Sequence, residues 1–159
     1  MKNATQIGLS ALVIGTVASV VSAAVLALLA KAEGKGVLQP TNATSHWLHG
    51  ANAAAHRELD AAHTLVGYTT HHASAVFWAV PFEAWLAARP PRSPSNLLRD
   101  ACAMSAIAAA VDYGLTPKRF TPGWELVLSR RSLVATYGAL ALGLAAGAML
   151  ARAWVDPQP

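Results

Sequence analysis

A chain of 159 residues with 54% apolar and only 13% charged side chains makes one domain and lacks the polar surface to cover a water-facing globule of its size. Its net charge of +4 does not point to nucleic acid, because the lysines and arginines stand between or beside apolar blocks, with no basic helix face and no interleaved aromatics. A single cysteine, Cys102, excludes an intrachain disulfide and a cysteine-based zinc cluster, and within its apolar block it reads as an inert buried thiol.

Ile7 to Ala30 is a run of 24 residues without a charged side chain. At about 1.5 Å per residue it exceeds the ~30 Å hydrocarbon core of a bilayer. A signal peptide is the rival reading, since Lys2 precedes the run and Val21-Ser22-Ala23 resembles a cleavage site. The run is longer than a signal core of about 7–15 residues and continues past that site, so it reads as a first membrane helix. Glu33 to Asp60 is a long connection broken by Gly34, Gly36, Pro40 and Gly50, with a short interfacial turn expected at Ala51 to Glu58.

Ala61 to Phe82 is the second span, free of Asp, Glu, Lys and Arg. Asp60 stands at its start, where a carboxylate favours the helix dipole. Pro81 is expected to kink or end it, leaving Glu83, Trp85 and Arg89 at the interface. Pro90-Pro91-Arg92-Ser93-Pro94 predicts a rigid turn. Leu97 to Leu115 is the weakest span, with Arg99 and Asp100 at one end and Asp112 at the other; its alanines from Ala101 to Ala110 fit an interior helix packed on all sides. Thr121 is the expected N-cap of the last helix, with Pro122 at its first position, and Ser132 to Ala151 is its apolar run, closed by Arg152 and Trp154.

These elements predict an all-α polytopic membrane protein: a four-transmembrane-helix bundle, one transmembrane domain over 1–159, with helices near 6–31, 59–88, 96–115 and 124–154. Gly143-x-x-x-Gly147 in the last helix and Gly15-x-x-x-Ser19 in the first predict close helix packing within the chain. With the N-terminus outside, Lys31, Lys35, Arg57, Lys118, Arg119, Arg130 and Arg131 are cytoplasmic; the opposite orientation places Lys2, Arg89, Arg92, Arg99 and Arg152 there, a margin of seven to five that leaves orientation open. In either case the first and third connections share one face.

All six histidines, His46, His49, His56, His63, His71 and His72, fall within residues 46–72. At about 100° per residue, Asp60, His63, Gly67, His71, Ser74 and Trp78 share one face of the second helix. Lipid cannot satisfy such a stripe, which therefore faces other helices. His72 points elsewhere and shares a face with Glu83. A candidate metal site is built from His63, His71 and Asp112, with Asp60, His72 or Tyr137 as weaker members. Three readings of the stripe stay open: a transition-metal or haem site, a proton- or ion-handling network, and a packing network of interhelical hydrogen bonds. His46, His49 and His56 read as solvated loop residues; His46-x-x-His49 has ligand-like spacing but no third partner.

The blocks Asn42 to Gly50, His63 to Glu83, and Ala110-Val111-Asp112-Tyr113 through Pro122-Gly123-Trp124-Glu125 resemble those of a family of small four-helix inner-membrane proteins of proteobacteria that has no assigned activity. A fainter similarity to the YagU-like inner-membrane family lies in the first helix and the His…Ser…Glu run. The resemblance implies a multi-pass place in the bacterial inner membrane and no mechanism. No catalytic signature is present: no His-Glu-x-x-His, no phosphate-binding glycine loop and no nucleophile elbow. The expected role is that of an accessory or scaffold subunit, partnered by the lipid bilayer and by other membrane subunits. A metal- or haem-binding, redox-capable protein and a small ion-coupled transporter are the alternatives.

Overall fold

The computed structural model describes residues 2–89 and 93–155, so the turn expected at Pro90, Pro91 and Arg92 lies outside the described residues. The described residues are helical throughout, without a strand: α1 (Ala4–Ala32), α2 (Gln39–Ala43), α3 (His46–His49), α4 (Val66–Ala87), α5 (Pro94–Gly114) and α6 (Arg130–Trp154), joined by shorter helical turns. Two of them, α1 and α6, are long and apolar enough to cross a membrane.

The four long helices run alternately up and down. Lys2, just before α1, reaches Glu83 near the end of α4 at 2.5 Å, and Glu33, just after α1, reaches the start of α6. α1 is the central element, packed between α4 and α6; α5 leans on the far side of α6 and barely meets α4. The core therefore follows the order α4–α1–α6–α5 and leaves one side unclosed.

Small residues set the α1–α6 seam. A Cβ on Gly143 would stand 2.6 Å from Ala18 Cα, and one on Gly147 would stand 2.7 Å from Ile14 Cα, closer than carbon atoms pack. Gly15 gives α4 the same access to α1, facing the backbone of Val76. Ser19, one turn on, is fully buried.

Several elements depart from the expected ones. α6 begins at Arg130, because residues 124–126 form a separate 3₁₀ turn; Ser129 is the N-cap, with its Oγ accepting from Ser132 N. A carboxylate from across the bundle completes this cap: Glu33 accepts from Ser129 N, Ser129 Oγ and Ser132 Oγ, the last two at 2.6 and 2.5 Å. Those hydroxyl hydrogen bonds hold the Glu33 carboxyl below its ordinary range. α4 continues through Pro81 to Ala87, and Glu83, expected at the interface, is buried. α5 is buried along one stripe, Leu97, Asp100, Ala101, Met104, Ser105 and Ala108, because only α6 covers it. Cys102 is exposed on the other side.

The first connection is a folded cap. α2 and α3 lie over the start of α4, where Gly67 lets the backbone of Thr41 approach directly. Asn42, fully buried, donates from Nδ2 to the carbonyls of His56 and Glu58 and accepts from Thr64 Oγ1. The third connection locks onto this cap: Trp124 Nε1 donates to Thr44 Oγ1 at 3.1 Å, and Arg119 Nε donates to the Trp47 carbonyl at 3.0 Å. Gly123, at φ +85°, packs its backbone against Ala43 where any side chain would collide.

Replacing Gly143 or Gly147 by leucine should destabilise the protein by about 1–3 kcal/mol, because the α1 backbone must move away. Leu142, on the exposed side of the same helix, is the control. Thermal unfolding in detergent at the unmodified temperature for both glycine variants would show that the seam is not close-packed.

Candidate functional site

Asp60 ends the cap and starts the second long helical segment, which continues as α4. Its side chain accepts from His63 N at 2.6 Å and Thr64 N at 3.4 Å, an N-cap arrangement. The first turn, Ala61–Leu65, is π-helical: Leu65 N donates to Asp60 O, five residues back. The His63 imidazole does not join that of His71.

His63 turns to the cap instead. Its Nδ1 donates to Asp60 Oδ2 at 2.9 Å, and His56 Nε2 lies 3.0 Å from the same oxygen. The His56–Asp60 approach lacks hydrogen-bond alignment, so His56 Nε2 is a buried nitrogen without a hydrogen-bond partner. The two imidazoles stack at 4.1 Å between centroids, and His49 packs on His63 at 4.7 Å while its Nε2 donates to the Ala62 carbonyl. One donor atom each from His56, Asp60 and His63 lies within 4.8 Å of the others. The hydrogen bond from His63 holds the Asp60 carboxyl at about 2, so it is anionic at neutral pH. Two imidazole nitrogens and a carboxylate oxygen form a donor set suited to a divalent transition metal.

His71 and His72 do different work. His71 is buried, and its Nε2 donates to the Ser19 carbonyl at 3.2 Å, a group that only accepts, with Ser22 Oγ sharing the same N–H at 3.0 Å. His71 is thus the Nε2–H tautomer, with Nδ1 left as an acceptor. Ser19 Oγ donates to the Thr16 carbonyl and so accepts from His72 Nδ1 at 2.9 Å. Neighbouring histidines of α4 therefore grip two serines one turn apart on α1. His72 faces α1 with His71 rather than standing apart from it.

Asp112, near the end of α5, accepts from Tyr137 Oη of α6 at 2.6 Å. It lines a cavity of about 260 Å³ together with His71, Ser74, Trp78, Trp124 and Tyr137. His71 and Asp112 face one space, as the sequence places them, but His63 is held apart in the cap with Asp60. Among the described residues the shared site of His63, His71 and Asp112 is not assembled; the three-donor grouping is His56, Asp60 and His63.

Sequence reasoning passed over two residues. His56 reads as a solvated loop histidine, yet its spacing of four and seven from Asp60 and His63 was available as a signal. His46 is buried, with its ring nitrogens 3.1 Å from the carbonyls of Ala43 and Lys118, so it staples cap to third connection.

The lock between α4 and α1 should be measurable as coupling. His71→Ala and Ser22→Ala each remove the same hydrogen bond, so their destabilisations should combine to less than their sum by about 1 kcal/mol. His71→Ala and His63→Ala, in separate places, should add. Unfolding of the three single and two double variants in detergent decides it, and the reverse pattern would return His63 and His71 to one site. No protein-family model, no curated protein and no solved structure matches the chain.

Proposed function

We propose that the chain is a multi-pass integral membrane bundle of the bacterial inner membrane, acting as a binding or accessory subunit rather than as an enzyme. One observation carries this reading: the outward surfaces of the long helices are rich in large apolar side chains while several polar side chains lie inside. Exposed surfaces of all four long helices bear large apolar side chains, Leu9, Leu12 and Val20 on α1, Phe77 and Val80 on α4, Ile107 on α5, and Val134 and Leu142 on α6. Polar groups are interior instead: Ser10, Ser19, Ser22, His71, Glu83 and Thr136 are buried. Water would drive such a surface to aggregate, whereas hydrocarbon is its natural solvent. Even α5, at 21 residues, is about 31 Å long, enough for the ~30 Å core.

The reading predicts a definite topology. In a Cys102→Ser background, single cysteines at Asn52 and Leu126, both exposed in the cap, should label from one side of the membrane. A cysteine at Ser95, exposed before α5, should label from the other. Asn52 and Leu126 labelling from opposite sides would overturn the four-span arrangement.

A second reading is supported by the His56–Asp60–His63 cluster: the cap holds a divalent transition metal such as zinc, nickel or cobalt. Three donors converging on one point suit an ion rather than a haem, whose axial ligands stand on opposite sides of a plane. Asp60 Oδ1 serves the helix cap, leaving Oδ2 turned to the two imidazoles. Cobalt(II) added to the purified protein should give a ligand-field spectrum with micromolar affinity. His56→Ala, His63→Ala and Asp60→Asn should each weaken it at least tenfold, and His71→Ala should leave it unchanged. Equal loss on His71→Ala, or no spectrum at all, removes the metal reading and leaves the topology intact.

A further inference from the structure

The unclosed side of the bundle, where α4 and α5 fail to meet, holds the cavity of about 260 Å³. It lies below the usual ~300–1,000 Å³ of drug-sized pockets, so its occupant is small. Its wall carries Trp47, Trp78, Phe120, Trp124 and Tyr137, and its one formally charged lining group is Asp112.

Most polar atoms of that wall are already committed. Trp47 Nε1 donates to Thr70 Oγ1 at 3.2 Å and Trp124 Nε1 to Thr44 Oγ1 at 3.1 Å, so two of its three indoles have spent their N–H; Trp78 Nε1 and Ser74 Oγ have not. Tyr137 Oη donates to Asp112, and the N–H of His71 is given to α1. The cavity therefore offers an occupant aromatic rings, one carboxylate, the acceptor nitrogen of His71, and the neutral N–H of Trp78 and hydroxyl of Ser74. No cation lines it to balance an anion; the Arg119 guanidinium bonds the outer carbonyl of Trp47.

Ring faces carry negative electrostatic potential and attract cations within about 6 Å. A carboxylate among them supplies net charge complementarity. We propose that this cavity binds a small organic ammonium ion, with the cationic nitrogen among the indole faces and Asp112 as its counter-ion.

Entry is provided for. Trp47, Thr70, Ser74, Trp78 and Asp112 line both the cavity and an outer groove between α4 and α5. A molecule in that groove meets the carboxylate at the mouth, without passing the α1–α6 seam. Rings anchored on Thr44 and Thr70 keep their positions when the site is empty, so binding pays little to order them. This proposal concerns a site separate from the metal cluster and stands independently of it.

The test uses choline and its uncharged isostere 3,3-dimethylbutan-1-ol, titrated into the detergent-purified full chain with indole fluorescence and calorimetry as readouts. Choline should bind saturably and perturb tryptophan emission, at least tenfold more tightly than the alcohol. Asp112→Asn, which keeps an oxygen for Tyr137, should weaken choline at least tenfold and leave the alcohol unchanged. Trp78→Leu, which keeps the carboxylate, should weaken choline several-fold and guard against a poorly folded Asp112 variant. Equal affinity for the two ligands, insensitivity to both substitutions, or no binding of choline up to high millimolar concentration would each overturn the proposal.

Discussion

The closeness with which α1 admits a helix on either side sets the geometry of the rest of the bundle. On one side Gly143 and Gly147 of α6 lie against Ala18 and Ile14; on the other, Gly15 lies against Val76 of α4. In the membrane setting proposed above, apolar helices have no hydrophobic drive to associate, so attraction comes from dispersion at short range and from hydrogen bonds. Both need backbones that come close, and even a methyl group at these positions would force them apart. The polar grip of His71 and His72 on Ser19 and Ser22 is possible only at that distance, since the hydroxyls are short and remain tied to their own helix.

The same approach explains why the two ends of the bundle differ. At one end Lys2, just before α1, meets buried Glu83 of α4. At the other, Glu33 leaves α1 where α6 begins and takes over the unsatisfied N–H and hydroxyls of its first turn. Everything in the cap is placed from there: α2 rests on Gly67, Trp124 on Thr44, and Asn42 holds the chain entering Asp60. The His56–Asp60–His63 group is thus held by folded backbone rather than by a free loop. That matters for a metal site, because ligand geometry set in advance lowers the ordering cost of binding.

How much of this was legible depended on whether the signal was local. The existence of four long helices follows from apolar run lengths, and the approach of α1 to α6 is marked by Gly143 and Gly147. His71 is buried and Asp112 half-buried, both lining one cavity. The start of α6 was misread because Thr121-Pro122 is a sound local start signal that here serves a 3₁₀ turn, while the operative cap comes from Glu33, 96 residues away. The position of His63 was not legible because its partners, His56 and Asp60, are brought to it by the folded first connection, which a single-helix projection does not contain. The short helices of the cap carry no strong local signal, since Pro40 and Gly50 punctuate them rather than forbid them.

The order α4–α1–α6–α5 also accounts for the unfilled space. α1 meets its neighbours with glycine, alanine and serine, so those interfaces close down to backbone contact. Where α4 faces α5 the residues are Ser74, Trp78 and Asp112, with Trp47 propped above them on Thr70. An indole and a carboxylate cannot interdigitate as glycines do, and the two helices stand apart. The rings that prevent closure are the rings that line the cavity. Stability concentrated in the α1–α6 seam leaves the α4–α5 side free to admit a ligand without loosening the bundle, because few contacts there need to be broken. The packing that holds the four helices together and the opening between two of them thus arise from one distribution of side-chain size.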